Sequence, residues 1–271
     1  MFRKLSFKDL YIQLIVVNLV IFLFANIAIS MKSSFFLDWF AMPLVNPFLK
    51  FWTFFTSHFL HIGFNHVFNN MLLLLLFGYY AQYFFKKFAV LSIYVVGGLC
   101  GILLMLITNN YIGSSGIAFG ASASVFALVT ATAMFQPDFP INLFIIGKVK
   151  LKWVAIVLVM LTIVINFSDN LLGNMAHIGG ALFGMLYGYK ARYSTNILWW
   201  LDSIFAKISA WFLPKIQTIK TNNTKPTSSR GRGTRYTKPK QSVMNIDNIL
   251  DKISKHGMKS LSKEEKDYLN R

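Results

Sequence analysis

The sequence predicts an all-α, polytopic membrane protein, in which a bundle of six transmembrane helices is followed by a small helical cytoplasmic tail. Of the 271 residues, 55% are apolar and only 14% are charged, and the mean hydropathy is +0.52. A soluble domain of this length forms its core with a smaller apolar share. Six apolar runs approach or reach the roughly 20 residues that a helix needs to cross about 30 Å of hydrocarbon.

The six predicted spans cover residues 11–30, 58–83, 88–108, 117–136, 152–167 and 171–193, and the fifth of them is short. The first run follows Arg3 and Lys4 and ends in small residues, so a cleaved signal peptide is its alternative interpretation. Its apolar stretch is longer than the roughly 7–15 residues of a typical signal-peptide core. We therefore interpret it as an uncleaved span.

Basic residues predict the orientation of the spans, because short loops rich in lysine and arginine stay in the cytoplasm. They precede span one and follow spans two, four and six: Arg3, Lys4, Lys8, Lys86, Lys87, Lys148, Lys150, Lys152, Lys190 and Arg192. We expect a cell (inner) membrane location with both termini cytoplasmic. Spans two, four and six then run from the outside to the inside.

The tail after span six is strongly basic, with 17 of the 27 lysines and arginines lying from Lys190 onward. We divide the chain into a membrane domain (1–195), an interfacial amphipathic helix (196–214), a flexible basic linker (215–241) and a small helical module (242–271). Next to a membrane, anionic lipid is a simpler partner for these charges than nucleic acid. We therefore expect lipid contact and no nucleic-acid binding.

A run of small residues around two serines opens the fourth predicted span. Its small residues recur every three or four positions, at Gly116, Gly120, Ser124, Ala127 and Ala131. A similar face on span six is formed by Gly180, Gly184 and Gly188. Small residues let the backbones of membrane helices approach closely. Spans four and six are therefore predicted to pack against each other.

Polar side chains on three spans are predicted to lie in one layer. At about 1.5 Å per helical residue, Ser122 and His177 each lie about six residues, or on the order of 9 Å, below the outer surface. His66 and Asn70, one turn apart on span two, enter from the same side. Polar groups inside a bilayer are unfavourable unless they face the bundle interior, where they commonly form functional sites. A serine needs a base and oxyanion donors to act as a nucleophile, and these residues can supply both.

Two alternative interpretations concern single residue types. Ser122 and Ser124 can simply bond to the carbonyl four residues earlier, as serines in membrane helices commonly do. His58, His61 and His66 can be metal ligands, but their offsets of three and five place at most two on one helical face.

Cys100 is the one cysteine of the chain, which excludes an intrachain disulfide.

Three separated motifs resemble those of the rhomboid intramembrane serine proteases, over residues 51–193. They are the stretch from His58 to Met71 (HFLHIGFNHVFNNM), Gly120-Ala-Ser-Ala123, and Ala176-His-Ile-Gly-Gly180, and they occur in the family's order. The resemblance implies a rhomboid-type six-helix fold. The last stretch also resembles the C-terminal extension of Bacteroidetes rhomboids.

The resemblance implies a role for each matching residue. Ser122 is the nucleophile and His177 its base, while Asn70 and His66 stabilise the oxyanion together with the Ser122 backbone amide. Phe126 packs on the catalytic imidazole, and His61 lies at the mouth of a water-filled cavity. Gly120 and Ala121 support the site within the serine motif. This chain differs from the family pattern at Ala123, where the family has glycine, and it lacks the frequent Trp-Arg pair of the first loop.

The implied activity is hydrolysis of peptide bonds in single-span membrane proteins near the outer membrane face, without metal or cofactor. By resemblance, the substrate enters past spans two and five. The alternative function is a catalytically weak or inactive relative that binds membrane clients, which the Ala123 departure keeps open. A transporter is disfavoured because the sequence shows no internal repeat.

Overall fold

The computed structural model describes residues 6–143, 147–165 and 170–212, and in addition residues 252, 261 and 262. The chain forms two compact units, residues 1–216 and residues 217–271. The predicted basic linker lies outside the described residues, and the C-terminal module does so almost entirely. The first unit contains all the helices discussed below.

The described part of the chain is helical, which confirms the predicted all-α class. The α-helices are α1 (Leu10–Ser30), α2 (Phe35–Phe40), α3 (Thr53–Thr56), α4 (Phe64–Phe84), α5 (Lys87–Ile112), α6 (Ser122–Phe135), α7 (Leu151–Ile165), α8 (Leu171–Arg192) and α9 (Trp199–Phe212). Turns of 3₁₀ helix cover Pro47–Lys50 and Ser57–Phe59. Two short antiparallel sheets pair β1 (Met42–Pro43) with β2 (Ile117–Ala118), and β3 (Pro140–Leu143) with β4 (Gly147–Lys150).

By length and composition, two described helices, α1 and α5, are able to cross a membrane. A third candidate is the pair Thr53–Phe59 and Phe64–Phe84, which is bent by 92°. The apolar helices α6 and α7 are shorter than a full span. The predicted number of six spans therefore stays a prediction.

The second predicted span starts later than the apolar run suggests. The prediction began it at His58, but α4 begins at Phe64, after the 92° bend. Gly63 lies at this bend with φ +80°, a conformation that side-chain-bearing residues rarely adopt. His58 and His61 therefore belong to a buried turn before the helix, and not to the helix itself.

The fourth predicted span also begins later than predicted, at Ser122 instead of residue 117. Residues Ile117–Ala118 form β2, and Gly120 has φ +123°, which is not a helical conformation. A helix therefore cannot run continuously from residue 117 to Ser122. Ser122 is thus the first residue of its helix, and the prediction that it lies six residues into a helix is wrong. With 14 residues, α6 is about 21 Å long, about 9 Å less than a hydrocarbon core.

Helix α6 occupies the centre of the bundle, since every residue from Ala123 to Ala133 is buried. The glycine face of α8 packs directly on its backbone. A Cβ at Gly180, Gly184 or Gly188 would come within 2.1, 2.2 and 2.3 Å of the carbonyl oxygens of Ala123, Ala127 and Ala131, respectively. The predicted close approach of spans four and six is confirmed. Gly116 and Gly120 precede α6, so the face used is that of residues 123, 127 and 131.

The α6–α7 connection carries basic residues that were predicted to be cytoplasmic. The carboxylate of Asp138, in this connection, lies 3.0 Å from Lys150 Nζ and 2.9 Å from Nζ of Lys152 in the first turn of α7. Hydrogen bonds from Lys152, and then from Lys150, hold the pKa of Asp138 below its ordinary value. Because Asp138 and Lys150 are more than half exposed, these ion pairs contribute little stability.

Helix α9 packs against α5 through a polar contact. The hydroxyl of Ser92, a fully buried residue of α5, donates to Asp202 Oδ1 at 2.5 Å, and Asn196 Nδ2 donates to Asp202 Oδ2 at 2.7 Å. Trp199 and Trp211 are 67% and 81% exposed. Exposed tryptophans on a helix too short to span are typical of an interfacial helix.

We predict that Ser92→Ala loosens α9 without unfolding the bundle. A hydrogen bond to a partly exposed charged group contributes about 1–2 kcal/mol, so opening of residues 199–212 should become roughly tenfold more frequent. Amide hydrogen exchange in detergent, followed by mass spectrometry, measures this opening. Ser203→Ala is the matched control, because among the described residues the Ser203 hydroxyl bonds only to Trp199 O, within α9 itself. Equal exchange in the two variants would show that the Ser92 contact does not hold α9.

Candidate active site

The candidate site is a hydrogen-bonded pair of side chains from α6 and α8. Ser122 Oγ lies 2.7 Å from His177 Nε2, although 55 residues separate them in sequence. Ser122 begins α6, and His177 lies three residues before Gly180, which contacts the carbonyl oxygen of Ala123. The glycine contacts between the two helices therefore set the register that brings the pair together.

The imidazole of His177 is held by packing. The ring of Phe126, one turn after Ser122, has its centroid 5.1 Å from that of His177, at an interplanar angle of 37°. Among the described residues, His177 Nδ1 has no hydrogen-bond partner. No Asp or Glu occurs in residues 117–136 or 171–193. The arrangement is thus a serine–histidine pair in which an aromatic ring packs against the imidazole.

A cavity of about 970 Å³ opens onto this pair. The four polar residues that were predicted to share a layer, namely His66, Asn70, Ser122 and His177, all line it. This volume lies within the range of roughly 300–1,000 Å³ that is usual for ligand sites. The cavity is large enough for a short peptide segment together with water.

Asn70 and His66 reach the cavity from α4. Asn70 Nδ2 donates one hydrogen bond to His66 O at 3.0 Å, and the amide has a second N–H for another acceptor. The His66 ring lies against Gly120, where a Cβ would come within 2.8 Å of ring atoms Cε1 and Nε2. A larger residue at position 120 would be disfavoured for two reasons. Its backbone would have to adopt a positive φ, and its Cβ would clash with the His66 ring.

Ala121 and His61 form a contact directly before Ser122. The Ala121 N–H donates to His61 Nε2 at 3.2 Å, and His61 is fully buried. The resemblance implies that His61 lies at the mouth of the cavity, but the structure places it in the bundle interior. The cause is the bend before α4, which turns the His61 side chain toward the segment that precedes Ser122.

The extra methyl group of Ala123 is accommodated by α5. A Cβ at Gly101 would come within 2.5 Å of Ala123 Cβ, and within 2.6 Å of Ala176 O. Gly97 and Gly98 likewise lie against Ala127 and Ser124. Sequence reasoning missed these three α5 glycines. Their signal was present as Gly97-Gly-Leu-Cys-Gly101, a small-residue run in the third predicted span.

The histidines were also considered as metal ligands. The described residues contain no group of three or more His, Cys, Asp or Glu side chains placed to hold a metal ion. His61 and His66 have ring centroids 5.0 Å apart, but His61 Nε2 is engaged by the Ala121 amide.

A helical bundle with apolar spanning helices, and with a serine–histidine pair at an internal cavity, defines a membrane protein with a hydrolase-like site. Residues 49–194 match the Rhomboid domain, and the chain belongs to the rhomboid family. It is thus a multi-pass integral membrane protein, either an intramembrane protease or a rhomboid-like protein. Residues 235–271 match a family of unknown function, DUF6576. The Bacteroidetes subtype stays a prediction.

Several relatives are similar to the membrane domain. Rhomboid-related protein 1 of Caenorhabditis elegans is 27% identical over 154 residues, which are 53% of this chain and 40% of that protein. RHOMBOID-like protein 1 of Arabidopsis thaliana is 31% identical over 141 residues, 51% of this chain and 34% of that protein. RHOMBOID-like protein 7 of Arabidopsis thaliana is 25% identical over 179 residues, covering 62% and 52% of the two chains. The match spans about half or less of these relatives.

Proposed function

We propose that the protein is an intramembrane serine endopeptidase that cleaves single-span membrane proteins near the outer membrane face. The observation that carries this proposal is the 2.7 Å hydrogen bond between Ser122 Oγ and His177 Nε2 at the cavity. Nucleophile and base lie within the 2.6–3.2 Å or so that proton transfer requires. Family membership supports the reaction class.

The proposed reaction follows the chemistry of serine hydrolases. Ser122 Oγ attacks the scissile carbonyl carbon while His177 Nε2 takes the hydroxyl proton. The oxyanion accepts hydrogen bonds from the Ser122 N–H, Asn70 Nδ2 and the His66 ring. The C–N bond then breaks, and His177 gives its proton to the leaving amine. Water attacks the acyl-enzyme with His177 again as the base, which releases the new carboxyl end and restores Ser122.

Among the described residues, no carboxylate bonds to His177, so we propose that Phe126 stabilises the imidazolium. A cation within about 6 Å of an aromatic centroid is attracted by the electrons of the ring face. The centroid distance of 5.1 Å between Phe126 and His177 meets this condition. The side chain that orients the base is therefore also proposed to stabilise its charged form.

The position of the pair limits the substrate. Since α6 is about 9 Å shorter than the hydrocarbon core, the nucleophile is proposed to lie below the outer surface, where the cavity admits water. A helical substrate hides its carbonyls in hydrogen bonds, so we propose substrates that are locally unstable near their outer end. Leu73 of α4 and Leu161 of α7 line the cavity, which supports entry between these two helices.

We propose an inner-membrane location with both termini in the cytoplasm. The site lies near the N-terminal ends of α4, α6 and α8, whereas Lys86, Lys190 and Arg192 lie at the opposite ends of α4 and α8. This separation agrees with the positive-inside rule if the cavity faces outward.

We also propose that the tail consists of an interfacial helix, a basic linker and a small helical module. Its basic residues are proposed to contact anionic lipid.

Labelling with a fluorophosphonate in detergent tests this function without knowledge of the substrate. We expect one adduct on the folded protein, which peptide mapping places on Ser122, and none on heat-denatured protein. Ser124→Ala is the matched control, because Ser124 is fully buried two residues further along α6. That variant should label like the wild type. An adduct elsewhere, or persistent labelling of Ser122→Ala, would contradict the proposed nucleophile.

The second candidate function is client binding without cleavage, and the Ala123 departure from the family pattern is the observation that favours it. In that case folded wild-type protein would not label, and Ala123→Gly would restore labelling. The packing of the Ala123 methyl group against Gly101 favours the enzyme.

A further inference from the structure

We propose that His61 is a positioning residue for the oxyanion site, acting through the backbone of Ala121. This inference deepens the proposed function and rests on it. His61 Nε2 accepts the hydrogen bond of the Ala121 N–H at 3.2 Å, directly before the nucleophile. The contact is specific, since a fully buried side chain from the turn before α4 meets a backbone amide 60 residues away.

The segment before Ser122 is held by two adjacent contacts from this turn. The Gly120 N–H donates to Ser57 O at 2.9 Å, and the Ala121 N–H donates to His61 Nε2. Both donors that precede the nucleophile are thereby used in structural bonds. They are not available to the substrate.

The peptide group between Ala121 and Ser122 is held through its carbonyl oxygen. Ala121 O accepts the Val125 N–H at 2.9 Å, the first hydrogen bond of α6. The carbonyl therefore points along the helix, and the N–H of Ser122 in the same planar peptide points the opposite way, out of the helix N-terminus. As the first residue of α6, Ser122 has an N–H without an intrahelical acceptor. His61 and Val125 together aim this donor toward the space beyond the helix end.

Histidine suits this place because it supplies an acceptor where water is excluded. An imidazole that accepts at Nε2 while neutral carries its proton on Nδ1. The His61 backbone is tied to α1 by the bond from Asn26 Nδ2 to His61 O at 3.3 Å. Its ring stands edge-on to that of His66, with centroids 5.0 Å apart. One turn thus supports both the backbone donor and one side-chain donor of the proposed oxyanion site.

His61→Phe and His61→Gln separate this role from packing. Phenylalanine keeps a ring but has no acceptor, whereas the Gln carbonyl oxygen can take the position of Nε2. We expect His61→Phe to lower kcat, and the rate of fluorophosphonate labelling, by about 10²-fold, with KM changed less than threefold, because an oxyanion donor acts on the transition state. His61→Gln should stay within about tenfold of the wild type.

Tyr94→Phe is the matched control for stability. Tyr94 is also fully buried, and its hydroxyl donates to His58 O at 3.2 Å in the same turn, but that bond does not involve Ala121. We expect this variant to lose thermal stability and keep its kcat per folded molecule. Equal kcat loss in Tyr94→Phe and His61→Phe, or equal loss in His61→Phe and His61→Gln, would overturn the inference.

Two further measurements keep the test decisive. If His61→Phe does not fold, His61→Ala is assayed with and without added imidazole. Imidazole should restore labelling by filling the vacated acceptor position, and no restoration would overturn the inference.

In wild-type protein with ¹⁵N-labelled histidine, NMR should show His61 protonated at Nδ1. Protonation at Nε2 would overturn the inference whatever the activity. Failure of wild-type labelling would instead contradict the proposed function.

Discussion

Ser122→Ala and His177→Ala are each expected to lower cleavage of a single-span substrate by at least about 10⁴-fold. The first removes the atom that attacks, and the second removes the only base within hydrogen-bond reach of it in the described structure. Neither change adds volume, so both variants should keep the fold. Cleavage in proteoliposomes, followed by gel separation of the products, measures the rates.

The double variant gives a sharper result than either single one. Residues that act as a unit are not additive, so Ser122→Ala combined with His177→Ala should lose no more than about tenfold beyond Ser122→Ala alone. Thermal unfolding of all three variants in the same detergent serves as the control for folding. Cleavage by His177→Ala within tenfold of the wild type would contradict the role of His177 as base.

Gly180→Val is expected to have the largest effect on stability. A Cβ at this position would come within 2.1 Å of Ala123 O, a backbone atom that no rotamer change can move away. Helix α8 must therefore shift from α6, which we expect to lower the free energy of unfolding by roughly 3 kcal/mol or more. Because His177 moves with α8, a displacement of about 1 Å should also lower labelling by at least about 10²-fold in the protein that still folds.

Gly116→Ala is the matched control for this glycine substitution. A Cβ at Gly116 meets only Ser114 Oγ at 3.7 Å and Leu44 Cδ1 at 3.8 Å, which are ordinary contacts. Its stability and labelling should stay close to those of the wild type. Denaturant unfolding in mixed micelles and labelling of the folded fraction measure both quantities. If Gly180→Val unfolds at the same denaturant concentration as Gly116→Ala, the contact between α6 and α8 is not as tight as the structure shows.

The features that depend on neighbouring residues could be predicted from the sequence. Helices α1, α5 and α8 begin and end close to their predicted bounds, because an apolar run has a length that can be counted. The packing of α6 on α8 was also predictable, since glycines four residues apart form one face of a helix. The pairing of Ser122 with His177 was predicted from equal depths in two helices; the two side chains do meet, but Ser122 is the first residue of α6 while His177 lies six residues into α8.

The features that depend on distant contacts were decided only by the tertiary structure. The start of α6 at Ser122 depends on the pairing of β2 with β1 and on the His66 ring against Gly120. The burial of His61 depends on the bend at Gly63, and the place of the Ala123 methyl group depends on a glycine of α5. Hydropathy reports how a segment partitions between water and lipid. It contains no information on which distant backbone atom a side chain will meet, and that contact decides the geometry at Ser122.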